Sequence, residues 1–292
     1  MTTYKRAKKF VNVGEFGKAV NTIMSNGIAQ IDSITLKQLQ AKHPTRSENI
    51  TYPTEEEIKD EKAAEEMKDS SEMHSEEVDN QLETALPSLT INARQILASV
   101  KQAKRLTSGG LQQITPWLLK RALLENTNQE CAIIAGRVAT RWGRGDFNSC
   151  LGELVAESQL IALYKDAKKV DVRPVSIGCA LRRLLTKAYC TGIRDKIVEH
   201  VQEAQLGVLK GGYEVGVHAM RELAHQAEKN GWVIMLLDFA NAFNTVDRNL
   251  MLRLVKAHCP EMTKLTYWLY AQEPHLITSR GDTLKSSSGT QQ

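Results

Sequence analysis

The chain has no apolar run approaching the roughly 18 residues that a membrane-spanning helix needs, so its hydropathy calls for no membrane partner. A secretory leader pattern is also missing: Met1-Thr2-Thr3-Tyr4-Lys5-Arg6-Ala7-Lys8-Lys9-Phe10 is basic but lacks an apolar core. Cysteines are few. Cys131, Cys150, Cys179, Cys190 and Cys259 are odd in number and include no Cys-x-x-Cys pair. That usage predicts reduced, mostly buried thiols in an intracellular compartment and argues against structural zinc. No internal repeat is visible.

What is present is ordinary for a globular protein: 42% hydrophobic and 25% charged residues over 292 positions, room for two domains or one large one. The charge is unevenly spread. From Glu55 to Asp79 there are twelve acidic residues against three lysines, a balance of −9, which leaves about +13 on the rest of a chain whose net charge is +4. A basic body with an acidic insert is compatible with nucleic-acid binding, although many proteins are equally basic.

Residues 1–44 read as a small helical unit. Phe10, Val11, Phe16, Val20, Ile23 and Met24 lie loosely on one side of a helix over 4–26, weakened by Gly14 and Gly17, and a second short helix is expected at 34–39. So small a unit buries little core alone and is expected to dock on the body or on a partner. Residues 45–80, with Glu55-Glu56-Glu57 and few apolar positions, read as an acidic disordered linker. Residues 81–292 are the globular body. Helices are expected at 90–106, from Thr115-Pro116 onward and over 131–140; Thr115 suits an N-cap and Pro116 the first helical position.

Two stretches carry chemistry. Leu160-Ile161-Ala162-Leu163-Tyr164-Lys165 and Val172-Arg173-Pro174-Val175-Ser176-Ile177-Gly178 flank a charged turn and read as a β-hairpin. Lys165 ends its first strand and Arg173 opens its second, so the two cations could clamp a polyphosphate, although a solvated hairpin with ordinary surface charge fits the segment equally. Further on, Val233-Ile234-Met235-Leu236-Leu237 reads as a buried strand that stops at Asp238. A strand-end carboxylate suits a hard cation such as Mg2+, and read alone it also suits a cap of the next turn. Between them, Lys210-Gly211-Gly212 lacks the Lys-Ser/Thr ending of a P-loop. His218 and His225, seven apart on an expected helix over 214–229, read as packing or surface histidines. Helices at 247–258 and 261–272 and a hairpin of His275–Thr278 with Thr283–Ser286 complete the pattern.

Leu160–Lys165 and Arg173–Gly178 resemble the two finger motifs of reverse transcriptases. Asp238-Phe239-Ala240-Asn241-Ala242-Phe243-Asn244, followed by Val246-Asp247-Arg248, resembles their motif A, most closely that of the non-LTR retroelement type. Ser287-Ser288-Gly289-Thr290-Gln291-Gln292 resembles the start of motif B. The likeness runs in the family's order over roughly residues 82–292. It implies an α+β architecture, helix-rich polymerase fingers and a partial palm, behind the small α-helical N-terminal extension. It also implies roles. Asp238 would be the first metal-binding carboxylate, with Mg2+ as the cofactor. Lys165 and Arg173 would contact the triphosphate of the incoming nucleotide. Asn241 and Gln292 would help shape the nucleotide pocket, and Phe243 would pack under the sugar and exclude a 2′-hydroxyl. The partners would be an RNA or DNA template-primer and deoxynucleotides, the reaction RNA-directed DNA synthesis.

The 292 residues contain no Asp-Asp dipeptide, the mark of the family's motif C, and no thumb segment. The expectation is an N-terminal fragment, truncated at the start of motif B and inactive alone. The alternative is a non-catalytic nucleic-acid-binding or protein-interaction module derived from a retroelement.

Overall fold

A computed structural model describes residues 3–46, 48–60, 89–101, 103–125, 129–202 and 205–290. It is an α+β fold: many helices around one small mixed sheet. In chain order the named helices are α1 (Thr3–Asn12), α2 (Phe16–Met24), α3 (Ser33–Ala41), α4 (Ala93–Lys101), α5 (Pro116–Leu124), α6 (Glu130–Gly143) and α7 (Ser149–Ala156). Then come strands β1 (Ser158–Tyr164) and β2 (Val172–Gly178), followed by α8 (Ala180–Gly192), α9 (Arg194–Val201) and α10 (Gly212–Asn230). The short α11 (Ala242–Thr245), α12 (Arg248–His258) and α13 (Thr263–Tyr270) lead to β3 (His275–Ile277) and β4 (Thr283–Lys285).

Local chemistry sets most of the boundaries. Thr115 accepts a hydrogen bond from the Leu118 N–H at 3.2 Å with Pro116 at the first helical position, as the sequence predicts. Asp32 and Asp247 cap α3 and α12 in the same way, from Thr35 N at 2.7 Å and Leu250 N at 2.8 Å, each cap worth about 1 kcal/mol. The helix expected over 4–26 is broken in two, because Gly14 turns the chain at φ +74°. Sequence reading missed α7, whose N-cap is Asn148.

The sheet runs β2-β1-β3-β4. Both expected hairpins form: β1 pairs antiparallel with β2 from Ser158↔Gly178 to Tyr164↔Val172, and β3 pairs antiparallel with β4. The two hairpins join through a short parallel ladder, Ser158↔Leu276 and Gln159↔Ile277. Beyond that ladder the edge of β1 is taken by the N-terminal unit: Ala29 N–H donates to the Ala162 carbonyl at 2.9 Å, and Tyr164 N–H donates to the Gly27 carbonyl at 3.1 Å. Pro174, which has no N–H to give, sits in the edge strand β2, where a proline is tolerated.

Two cores hold this together. One is helical, with Ile96 and Val100 of α4, Trp142 of α6, Leu185 and Tyr189 of α8 and Trp268 of α13 at its centre. The other lies on one face of the sheet, where Leu160, Ala162, Val172, Leu276 and Leu284 meet Ala29, Ile31 and Leu39. Leu39 is fully buried there, which contributes roughly 1.5–3 kcal/mol. The N-terminal unit thus docks on the body, and it completes the sheet's core.

Three expectations need correcting. The run Val233–Leu237 is not a buried strand: it is extended but exposed, 91% at Val233 and 85% at Leu236, and among the described residues no strand pairs with it. An apolar run becomes a sheet strand only when neighbours take up its N–H and C=O groups, and here β3 pairs with β1 instead. The linker expected from residue 45 does not begin there. Arg46 pairs with Glu273 at 3.4 Å, Tyr52 stacks edge-on against Tyr267 at 5.2 Å, and the Lys256 ammonium donates to the Pro53 carbonyl at 2.9 Å. Pro53 and Ile58 are buried by these contacts, so a few apolar anchors overrule the acidic composition; positions 61–80 lie outside the described residues. The thiols, finally, are less buried than predicted, with Cys150 and Cys190 exposed and the other three half-buried.

Candidate functional site

The site is built on the β1–β2 hairpin. Arg173 faces Leu163 across the ladder, and Lys165 follows the last residue of β1, its N–H donating to the Asp171 carbonyl at 2.9 Å. Side chains alternate between faces along a strand, so Leu163, Lys165 and Arg173 share one face. The opposite face carries the buried Leu160, Ala162, Val172 and Pro174. Fixing the apolar positions toward the core therefore fixes both cations toward solvent.

That solvent face is one wall of a cleft of about 640 Å³. Asp238, Asn241 and Phe243 line its other side, together with the turn that connects them. Residues about 70 positions apart, singled out for one chemistry, thus border one space. Gln292 lies outside the described residues.

Asp238 is exposed on the extended segment before α11, and Phe243, on α11, is 55% exposed. Asn241 differs from both. It adopts a left-handed conformation, φ 56°, its Nδ2 donates to the Lys42 carbonyl at 2.9 Å, and its Oδ1 accepts from Asn244 Nδ2 at 2.7 Å. Its amide thus ties the turn after Asp238 to the N-terminal unit.

Lys42 is the cleft residue that sequence reasoning missed. Its ammonium donates to Asp171 Oδ1 at 2.5 Å and to the Val172 carbonyl, and Lys165 Nζ stands 3.8 Å from Asp171 Oδ2. The hydrogen bond from Lys42 holds the Asp171 carboxyl below the usual carboxylate range against an opposing effect of burial; the Val172 N–H and the Lys165 charge add to it. No linear signal joins positions 42 and 171; only the docking of residues 27–41 on the sheet brings them together.

Because the Asp171 pKa is lowered in the folded chain, the pair contributes stability that is present above the unfolded carboxylate range and is lost as pH falls through the folded pKa. Lys42→Ala is expected to return the Asp171 pKa upward toward the ordinary Asp value near 3.9, read by carboxyl-carbon NMR titration. An unmoved Asp171 pKa in that variant would remove the pair from the account.

The segment before Gln292 closes the far end of the turn. Gly289 N–H donates to the Val246 carbonyl at 3.0 Å and Thr290 N–H to the Phe243 carbonyl at 2.7 Å. Gly289 stands at φ +72°, and a Cβ there would come 2.4 Å from Asn244 Cα, so only glycine allows this approach. Behind it Arg248 is buried. Its guanidinium donates to the carbonyls of Gly289 (2.9 Å), Tyr270 (3.2 Å), Gln272 (3.2 Å) and Ser288 (3.2 Å) and to Ser286 Oγ (2.9 Å). Burial pulls its pKa down to about 10, which still leaves it charged at neutral pH.

The carboxylates of the cleft do not by themselves fit a divalent-metal centre. Asp171 is committed to Lys42 and Lys165, which leaves Asp238, and a hard cation with one protein ligand keeps most of its water. Among the described residues no group of three or more His, Cys, Asp or Glu side chains could hold a metal ion, and no helix is long and apolar enough to cross a membrane. Comparison with protein-family models and with curated protein sequences returns no match.

Proposed function

We propose that these residues form the fingers and the first palm motif of a reverse-transcriptase-like polymerase, with the cleft receiving the triphosphate and sugar of a deoxynucleotide. The observation that carries this reading is the convergence of Lys165, Arg173, Asp238 and Phe243 on one cleft from two separate motifs. In this reading Arg173 holds phosphate oxygens with its planar fork and Lys165 supplies a point charge beside it. The Phe243 ring forms an apolar platform for the sugar and fills the space that a 2′-hydroxyl would need. Lys42 positions the cations by neutralising Asp171, which would otherwise repel the phosphates.

Catalysis needs carboxylates that the described cleft does not supply, so the same residues acting alone are a nucleotide-binding and nucleic-acid-binding surface. The commitment of Asp171 to Lys42 favours that second reading for the 292 residues by themselves.

The test is equilibrium binding of a fluorescent deoxynucleoside triphosphate at low salt. Lys165→Ala combined with Arg173→Ala is expected to weaken it by about tenfold to a hundredfold, the loss of two charge-assisted contacts. Deoxynucleoside without phosphates should bind equally to both proteins. A triphosphate affinity unchanged by the double substitution rejects the cleft as the nucleotide site.

A further inference from the structure

A second cavity, of about 430 Å³, lies between α2, α4, α5 and the start of α8, and it shares no lining residue with the cleft described above. Its floor is apolar: Val100 and Leu184 are buried, and Leu119 and Pro116 complete the wall. Its rim is cationic. Lys18, Lys104, Arg183 and Lys187 all border it, and no carboxylate does so among the described residues. Lys18 is answered from outside by Glu15 at 2.8 Å. Arg183 is not fully answered: one terminal nitrogen donates to the Ser108 carbonyl, while its Nε is buried with no hydrogen-bond partner among the described residues.

The wall offers two hydroxyls, and each already makes one hydrogen bond. Ser99 Oγ donates to the Gln95 carbonyl at 2.9 Å, and Thr107 Oγ1 accepts from the Lys18 ammonium at 3.4 Å. A nucleobase or a sugar placed inside would present more donors and acceptors than these two hydroxyls can answer, and a polar group buried unpaired is unfavourable. An alkyl or aryl group would bury none. A pocket of this size, apolar inside with a few charges at its mouth, has the composition of a small-molecule site.

We propose that this cavity binds a small amphiphilic anion, its alkyl or aryl body on the Val100–Leu184 floor and its phosphate or carboxylate at Lys104 and Arg183. The proposal does not depend on the polymerase reading, because none of the cleft residues takes part.

The experiment is isothermal titration of the full chain with octyl phosphate below its micelle-forming concentration, alongside 1-octanol and inorganic phosphate. Octyl phosphate is expected to bind saturably at one site, at least about tenfold more tightly than either comparison compound. Ala103→Trp, which fills the cavity from its loop wall, should abolish the binding. Lys104→Glu, an exposed change that leaves the core untouched, should weaken it by about tenfold. Circular dichroism and thermal unfolding of both variants report whether they fold; Lys104→Glu keeps the test decisive should Ala103→Trp not fold. Three results overturn the proposal: no saturable octyl phosphate binding, octanol or inorganic phosphate binding as tightly, or an affinity unmoved by Lys104→Glu.

Discussion

Arg248→Ala is expected to cost the folded chain roughly 2–5 kcal/mol, because it takes the donor away from several buried or half-buried oxygens at once. The guanidinium serves five acceptors drawn from the end of α13, the end of β4 and the Ser288–Gly289 segment. Two effects oppose each other. Deleting the side chain relieves the desolvation of a charge, and that same burial is what draws its pKa down. It also takes the donor from five oxygens, two in buried and three in half-buried hydrogen bonds, each worth about 1–3 kcal/mol if it stays dry. Water entering the vacated space recovers part of that, so the net loss falls below the sum and still takes a large share of a total stability of about 5–15 kcal/mol. Arg248→Lys should recover part of the loss, since an ammonium keeps the charge but not the five-donor fork. Urea unfolding followed by circular dichroism should show a lower midpoint at an unchanged slope. A loss under about 1 kcal/mol would mean that the hub is incidental to the fold.

The elements legible in advance were those whose signal is local. Thr115-Pro116 announces a helix start, and the apolar blocks around Asp166–Asp171 announce a hairpin with Lys165 and Arg173 on one face; both form. What was not legible depends on partners far away in sequence. Val233–Leu237 has the composition of a buried strand, yet a strand is defined by its neighbours' backbone groups, and among the described residues none pairs with it. Glu55–Asp60 has the composition of a linker, yet Tyr52 and Pro53 just before it find Tyr267 and Lys256. Lys42 carried no signal, and Arg248 none beyond its place in the motif A likeness, because a cation reads as surface charge until the fold supplies its acceptors. Lys165, Arg173, Asp238, Asn241 and Phe243 border one cleft, while the groups that position them were invisible in the sequence.

These 292 residues by themselves are expected to give no template-directed incorporation of deoxynucleotides. On the proposed reading, Asp238 stands beside the triphosphate with no second uncommitted carboxylate in the cleft among the described residues, and the phosphoryl-transfer class needs carboxylates from more than one segment. On that same reading, the backbone of 233–237, which pairs with no strand among the described residues, is where such a segment would add. Its amides should exchange with solvent near the unprotected rate in the 292-residue chain, since no ladder holds them. Joined after Gln292 to a polymerase segment that carries a Gly-Asp-Pro turn and an Asp-Asp hairpin, the chain should protect those amides and gain primer extension together. In that joined protein Asp238→Ala should reduce extension by about a hundredfold or more. Phe243→Ala should leave deoxynucleotide addition largely intact and admit ribonucleotides, because removing the ring opens the space that a 2′-hydroxyl requires. Hydrogen exchange and primer extension with both nucleotide types separate the possibilities. Protection without activity would keep the strand pairing and reject the catalytic role of Asp238, and full activity in Asp238→Ala would reject the polymerase reading itself.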